Sequence, residues 1–76
     1  MILPTKHTRF SNSLINVGAI ILKNITPGQT VTMLWDKLRP YSEIRTFERF
    51  TLGLDLLFML GLIDIKRGII VRIKND

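Results

Sequence analysis

Leu60–Ile73 reads LGLIDIKRGIIVRI, and here the hydrophobic period of the chain changes. Ile63, Ile65, Ile69, Val71 and Ile73 alternate with Asp64, Lys66, Ile70, Arg72 and Lys74. A period of two is the mark of a strand with one covered face. Lys66-Arg67-Gly68 interrupts the alternation, as a short hairpin turn does. Gly61, just before it, reads as the stop of a preceding helix. A β-hairpin over residues 62–74 therefore follows a helix.

Working back from that hairpin, Thr46 reads as a helix cap, and Glu48 in the first turn complements the helix dipole. Phe47, Phe50, Leu54, Leu57 and Phe58 form the stripe of this third helix, with Leu52, Leu56, Met59 and Leu60 around its side. Thr30 caps a second helix whose stripe is Val31, Leu34, Trp35 and Leu38, and Arg39-Pro40 ends it. Trp35, at helical spacing within that stripe, is expected in the core. Thr26-Pro27-Gly28-Gln29 is a turn, and Tyr41–Arg45 a connection. Ser11-Asn12-Ser13 offers caps for a first helix carrying Leu14, Val17, Ile21 and Ile25 on one face. Gly18 lies among them, Ile15, Ala19 and Leu22 widen the face, and Ile20 falls off it. Residues 1–10 read as extended, because Pro4 disfavours helix at Leu3.

This order gives the expected fold: α+β, mainly α, resembling a winged helix-turn-helix. It is one domain over 1–76, with an extended leader (1–10), three helices (11–61) and a hairpin wing (62–74). The leader is placed to supply a third strand beside the wing.

With 76 residues, no cysteine and a single histidine, His7, the chain has no disulfide and no Cys/His zinc site. Apolar residues make up 46%, which is heavy for so small a body, since surface grows relative to volume as domains shrink. Some of that apolar surface must be covered by a partner, or by a second copy in a homodimer. No secretory leader is visible, and Phe47–Ile65 carries Glu48, Arg49 and Asp55, which makes it a poor membrane span. A cytoplasmic location without membrane contact is expected. No nucleophile–base pair, carboxylate pair or phosphate-cradling glycine loop stands out, so the chain reads as a non-enzyme with no catalytic residue, metal or cofactor.

The net charge is +5, which suits nucleic acid, an anionic surface or an acidic protein equally. Its placement is more informative. With the core stripe removed, the third helix presents Glu48, Arg49, Thr51, Leu52, Asp55 and Met59. Glu48 and Asp55 share a face that phosphates would repel, and the same two carboxylates would also serve to keep a helix soluble. The cations sit elsewhere, as Lys6, His7 and Arg9 in the leader and Lys66, Arg67, Arg72 and Lys74 in the hairpin. The hairpin four are candidates for phosphate-backbone or acidic-partner contacts. Lysine and arginine on a small sheet also keep its edges from pairing with other chains.

MILPTKH (Met1–His7), TVTMLWDKLRP (Thr30–Pro40) and TFERFTLGLDLLFMLGLIDI (Thr46–Ile65) together resemble the small middle components of bacterial ABC-three-component systems, closest to type six. The resemblance implies an adaptor without catalytic residues. It would dock on an SMC-like ABC ATPase and couple it to an effector in defence against phage or other invading DNA, with non-specific DNA contact within the complex. Partner binding is then expected at Leu3, Pro4, Thr5, Lys6, His7, Leu52, Asp55 and Met59. The chain departs from the family pattern at Gly53, where a better helix former is expected. Glycine there costs roughly 1 kcal/mol in a helix interior, and close approach of a neighbouring helix or of the ATPase would explain it. The alternative reading is a free-standing winged-helix DNA-binding regulator.

Overall fold

Two threonines open the later helices by the same chemistry. Thr30 sits in extended backbone, and its hydroxyl oxygen accepts the Met33 N–H at 3.1 Å. Thr46 likewise accepts the Arg49 N–H at 3.1 Å. Each satisfies an amide that a helix start leaves without an intrahelical partner. The second helix, α2, spans Val31–Leu38 and the third, α3, Phe47–Met59. They belong to a computed structural model that describes residues 5–73, with side chains from residue 13 onward. The first helix, α1, covers Thr5–Asn24, and the antiparallel strands β1 (Ile63–Lys66) and β2 (Ile69–Arg72) complete the chain. The architecture is three helices followed by a two-stranded hairpin.

The leader differs from expectation. Thr5–Phe10 is helical and continuous with the rest of α1, whereas extended backbone was expected to residue 10. Nothing between Thr5 and Leu14 breaks a helix, and Ser11-Asn12-Ser13 only lowers propensity by a few tenths of a kcal/mol per residue. Serine and asparagine are good caps, but they do not force a helix to begin. The expected third strand at Met1–Pro4 lies outside the described residues. The outer edge of β2 is met instead by the turn before α2. The Ile70 N–H donates to the Gln29 carbonyl at 2.9 Å, and Thr30 forms a single antiparallel bridge with Ile69. Gln29 is itself buried, and its side-chain oxygen accepts the Thr26 N–H at 3.1 Å.

α3 ends where Gly61 was expected to end it. Gly61 adopts φ +75°. Its N–H donates to the Phe58 carbonyl at 3.0 Å, and the Leu62 N–H reaches back to the Leu57 carbonyl at 2.9 Å. This pair of bonds satisfies the last carbonyls and turns the chain into β1. Arg67 and Gly68, at φ 54° and 79°, make the two-residue hairpin loop, the left-handed pair a type I′ turn requires.

That loop sets the register, which pairs Lys66 with Ile69 and Ile65 with Ile70. The face of β2 is therefore the opposite of what simple alternation along the sequence suggests. Ile70 is buried with Ile63, while Val71 and Ile73 are exposed. Two residues in the loop shift the inward set by one position, and a shift of one reverses every side chain.

α1 and α3 carry the main helix–helix contact. Val17 and Ile21 of α1 meet Phe50, Leu54 and Leu57 of α3, with Leu34 and Leu38 of α2 closing the core. α1 widens its buried face toward Ile20, which packs half-buried on the core, while Ile15 and Ala19 stand exposed. Trp35 is half-buried, edge-on to Phe47 at 5.2 Å and tilted against Phe50 at 5.4 Å. Ile44, in the connection that offered no motif, is fully buried. Arg49 fastens this connection to α1: its Nε donates to the Glu43 carbonyl at 3.0 Å, and its guanidinium also reaches the Ser13 hydroxyl.

Gly53 explains the closeness of α1 and α3. A Cβ at this position would lie 2.6 Å from Val17 Cγ1 and 2.8 Å from Ile21 Cδ1. The Val17 methyl sits on a stiff β-branched side chain, so it cannot swing aside. At Gly18, the corresponding glycine of α1, an added Cβ would sit an ordinary 3.4 Å from Leu57.

Two stability measurements test this account. Gly53→Ala gains about 1 kcal/mol of helix propensity but incurs overpacking of about 1–3 kcal/mol. It should lower the melting temperature by several degrees, whereas Gly18→Ala should leave it unchanged or raise it; the reverse order would refute the close-contact explanation. Arg67→Asn should stabilise the hairpin by several tenths of a kcal/mol, since asparagine tolerates left-handed backbone better than arginine. The readout is a higher denaturation midpoint at unchanged slope.

Candidate docking surface

The C-terminal half of α3 points its core stripe inward and leaves the opposite side bare. Leu52, Asp55 and Met59 recur at spacings of three and four residues, so they share one face. All three are exposed, Met59 to 79%. Glu48 stands at the same face one turn earlier, also exposed. Phe58 and Leu60, 55% and 61% exposed, flank this face on either side. A lone exposed leucine is ordinary, whereas large apolar residues grouped on one short helix make this face the candidate docking surface.

Two grooves run along the sides of that face. On the α1 side, Ile15, Gly18, Ala19 and Leu22 face Leu56, Leu57, Leu60 and Leu62 across an apolar furrow. On the hairpin side, a groove of about 410 Å³ lies between α3, β1 and the start of α2. Its walls are Val31, Thr51, Leu54, Asp55, Phe58, Asp64 and Ile65. Both carboxylates that border it lack an ion pair among the described residues, where Asp36–Arg39 at 3.6 Å forms the salt bridge. Asp64 uses one oxygen to accept the Ile65 N–H at 2.8 Å.

Lys66, Arg67 and Arg72 are exposed on the hairpin. The register puts Lys66 opposite Ile69 and Arg72 opposite Ile63. Positions 66 and 72 consequently lie on opposite faces of the ribbon. The hairpin cations are thus spread over both faces and the turn of the hairpin.

The structure brings Leu52, Asp55 and Met59 together as the sequence suggested. Thr5, Lys6 and His7 fall in the first turn of α1, with side chains outside the described part of the structure, so the expected extended docking strip is helical from Thr5 onward. Leu3, Pro4 and Lys74 lie outside the described residues. Sequence reasoning passed over the groove on the hairpin side. Helical spacing places Phe58 in the core stripe of α3 and alternation places Ile65 on the covered face of the hairpin, yet both are exposed. Asp64 gave a signal, as an acidic residue among the basic ones of the hairpin. Among the described residues no three His, Cys, Asp or Glu side chains gather as metal ligands would, and no helix is long and apolar enough to cross a membrane.

Neither the curated proteins nor the solved structures yield a match to this chain. A family does: the model for the ABC-three component (ABC-3C) system Middle Component 6 matches residues 3–74. That span includes all five secondary-structure elements and both sides of the exposed α3 face. The chain belongs to the Middle Component 6 family of ABC-three component systems.

Proposed function

We propose that this protein is a non-enzymatic adaptor that docks on an SMC-like ABC ATPase and couples it to an effector in a bacterial system directed against phage or other invading DNA. The carrying observation is the exposed α3 face of Leu52, Asp55 and Met59, flanked by Phe58 and Leu60. Family membership supplies the context of a multicomponent assembly. The physical argument is that so small a domain cannot cover its own apolar side chains, and this helix leaves several of them in water.

The same face bears on the alternative of a DNA-binding regulator. Three helices, a hairpin, and the bridge from Thr30 to the hairpin fit a winged-helix arrangement. In such an arrangement α3 would be the helix offered to the major groove. Here α3 offers Glu48 and Asp55 beside leucine and methionine, with no array of base-reading side chains. Carboxylates at that position are repelled by the phosphate backbone, so the helix fits a protein partner better than a duplex. The cations that ring the hairpin suit loose, sequence-blind contact with DNA inside a larger complex, or contact with an acidic partner.

Co-expression with an SMC-like ABC ATPase and a candidate effector from the same genome tests the proposal. The wild-type chain should co-purify with the ATPase. Leu52→Glu combined with Met59→Glu should abolish co-purification while leaving the thermal midpoint within a few degrees, because exposed substitutions alter stability by about 0.5 kcal/mol or less. Co-purification at undiminished yield would refute the docking face. In parallel, binding to duplex DNA should be weak and indifferent to sequence. A steep salt dependence with clear preference for one duplex would favour the regulator instead.

A further inference from the structure

The groove on the hairpin side of α3 combines apolar walls with an uncompensated negative rim, and that combination selects a ligand. We infer that it receives a basic amphipathic helix from a partner protein, with apolar side chains seated between Leu54, Phe58 and Ile65 and a lysine or arginine reaching Asp55 and Asp64. This assignment concerns the groove and does not depend on the partner being an ATPase.

Three observations carry it. First, the groove is a solvent-open furrow of about 410 Å³ with mainly apolar walls. Phe58 and Ile65, which border it, are 55% and 42% exposed, so apolar wall is available to cover. Second, the charge at this site has the opposite sign to the molecule. The chain carries +5 overall, yet the charged residues lining this groove are Asp55 and Asp64, with no ion pair to either among the described residues. A cation that the net positive charge repels meets two carboxylates here beside apolar wall, which favours this location for a basic ligand. Nucleic acid is disfavoured by the same two charges. Third, one outward backbone donor beside the groove is already engaged. The Ile65 N–H points away from β2 and is bonded to the Asp64 carboxylate at 2.8 Å. An incoming strand would have to displace that bond, whereas a helix docks through its side chains and leaves it intact.

The test uses the full 76-residue chain, labelled with nitrogen-15. The probes are two synthetic capped amphipathic helices of identical apolar pattern, one of leucine and lysine, the other of leucine and glutamate. The leucine–lysine helix should shift the amides of Thr51, Asp55, Phe58, Asp64 and Ile65. The leucine–glutamate helix should leave those amides in place, its attraction falling on the hairpin cations. Asp55→Lys should weaken binding of the leucine–lysine helix about tenfold or more, equivalent to about 1.4 kcal/mol. Asp64→Asn keeps an acceptor for the Ile65 N–H and should weaken binding with the spectrum otherwise unchanged, so loss of fold cannot imitate the result. The assignment is overturned if both helices shift the same amides equally, if the leucine–lysine helix binds elsewhere or not at all, or if neither variant alters affinity. It is also overturned if these amides shift with protein concentration alone, which would make the groove a contact between two copies. Co-purification with the ATPase reads the outer α3 face, so failure of the two ideas is distinguishable.

Discussion

The approach of α1 to α3 at Gly53 is the constraint on which the rest of the structure depends. These two helices share the main packing surface, and the side chains of Val17 and Ile21 fill the space that a Cβ on residue 53 would need. A glycine in a helix interior is unfavourable by itself, and the penalty is offset only because the neighbouring helix enters the gap. Close packing brings Phe50, Leu54 and Leu57 onto α1, and α2 then has a defined surface to close. The alternative explanation of this glycine, approach by another protein, is unnecessary: the chain itself occupies the site.

From that helix pair the hairpin is placed by backbone geometry more than by side-chain packing. Gly61 turns the chain at the end of α3, two bonds to Leu57 and Phe58 hold the turn, and a two-residue loop folds β2 onto β1. The link from Ile70 to Gln29 then ties the hairpin to the turn before α2. Helix caps, a helix stop and a tight loop, each local, together orient the acidic groove between α3 and β1.

The surface shows a division of charge that composition alone conceals. Exposed cations occupy the hairpin at Lys66, Arg67 and Arg72 and the earlier elements at Lys23, Lys37, Arg39 and Arg45, while the bare side of α3 combines carboxylates with leucine, phenylalanine and methionine. A protein that held DNA through α3 would need the reverse. Arg49, the cation of that helix, is engaged internally with the Glu43 carbonyl and the Ser13 hydroxyl.

The helix starts at Thr30 and Thr46, the stop at Gly61, the turn at Arg67-Gly68 and the grouping of Leu52, Asp55 and Met59 could all be read from the amino acids, because each depends on interactions within a few residues or on spacing along one helix. The start of α1, the burial of Ile44, the inward face of β2 and the pairing of Asp55 with Asp64 along one groove could not. Ser11-Asn12-Ser13 tolerates helix as well as capping it, so local preference left the α1 boundary open. Ile44 sits alone in a polar connection, and only the packing of three helices decides that it is enclosed. The face of β2 follows from a register counted across a turn, not along a strand. Asp55 and Asp64 border the same groove because Gly61 folds the hairpin back beside α3, and a chain reversal of that kind sets distances that no periodicity records.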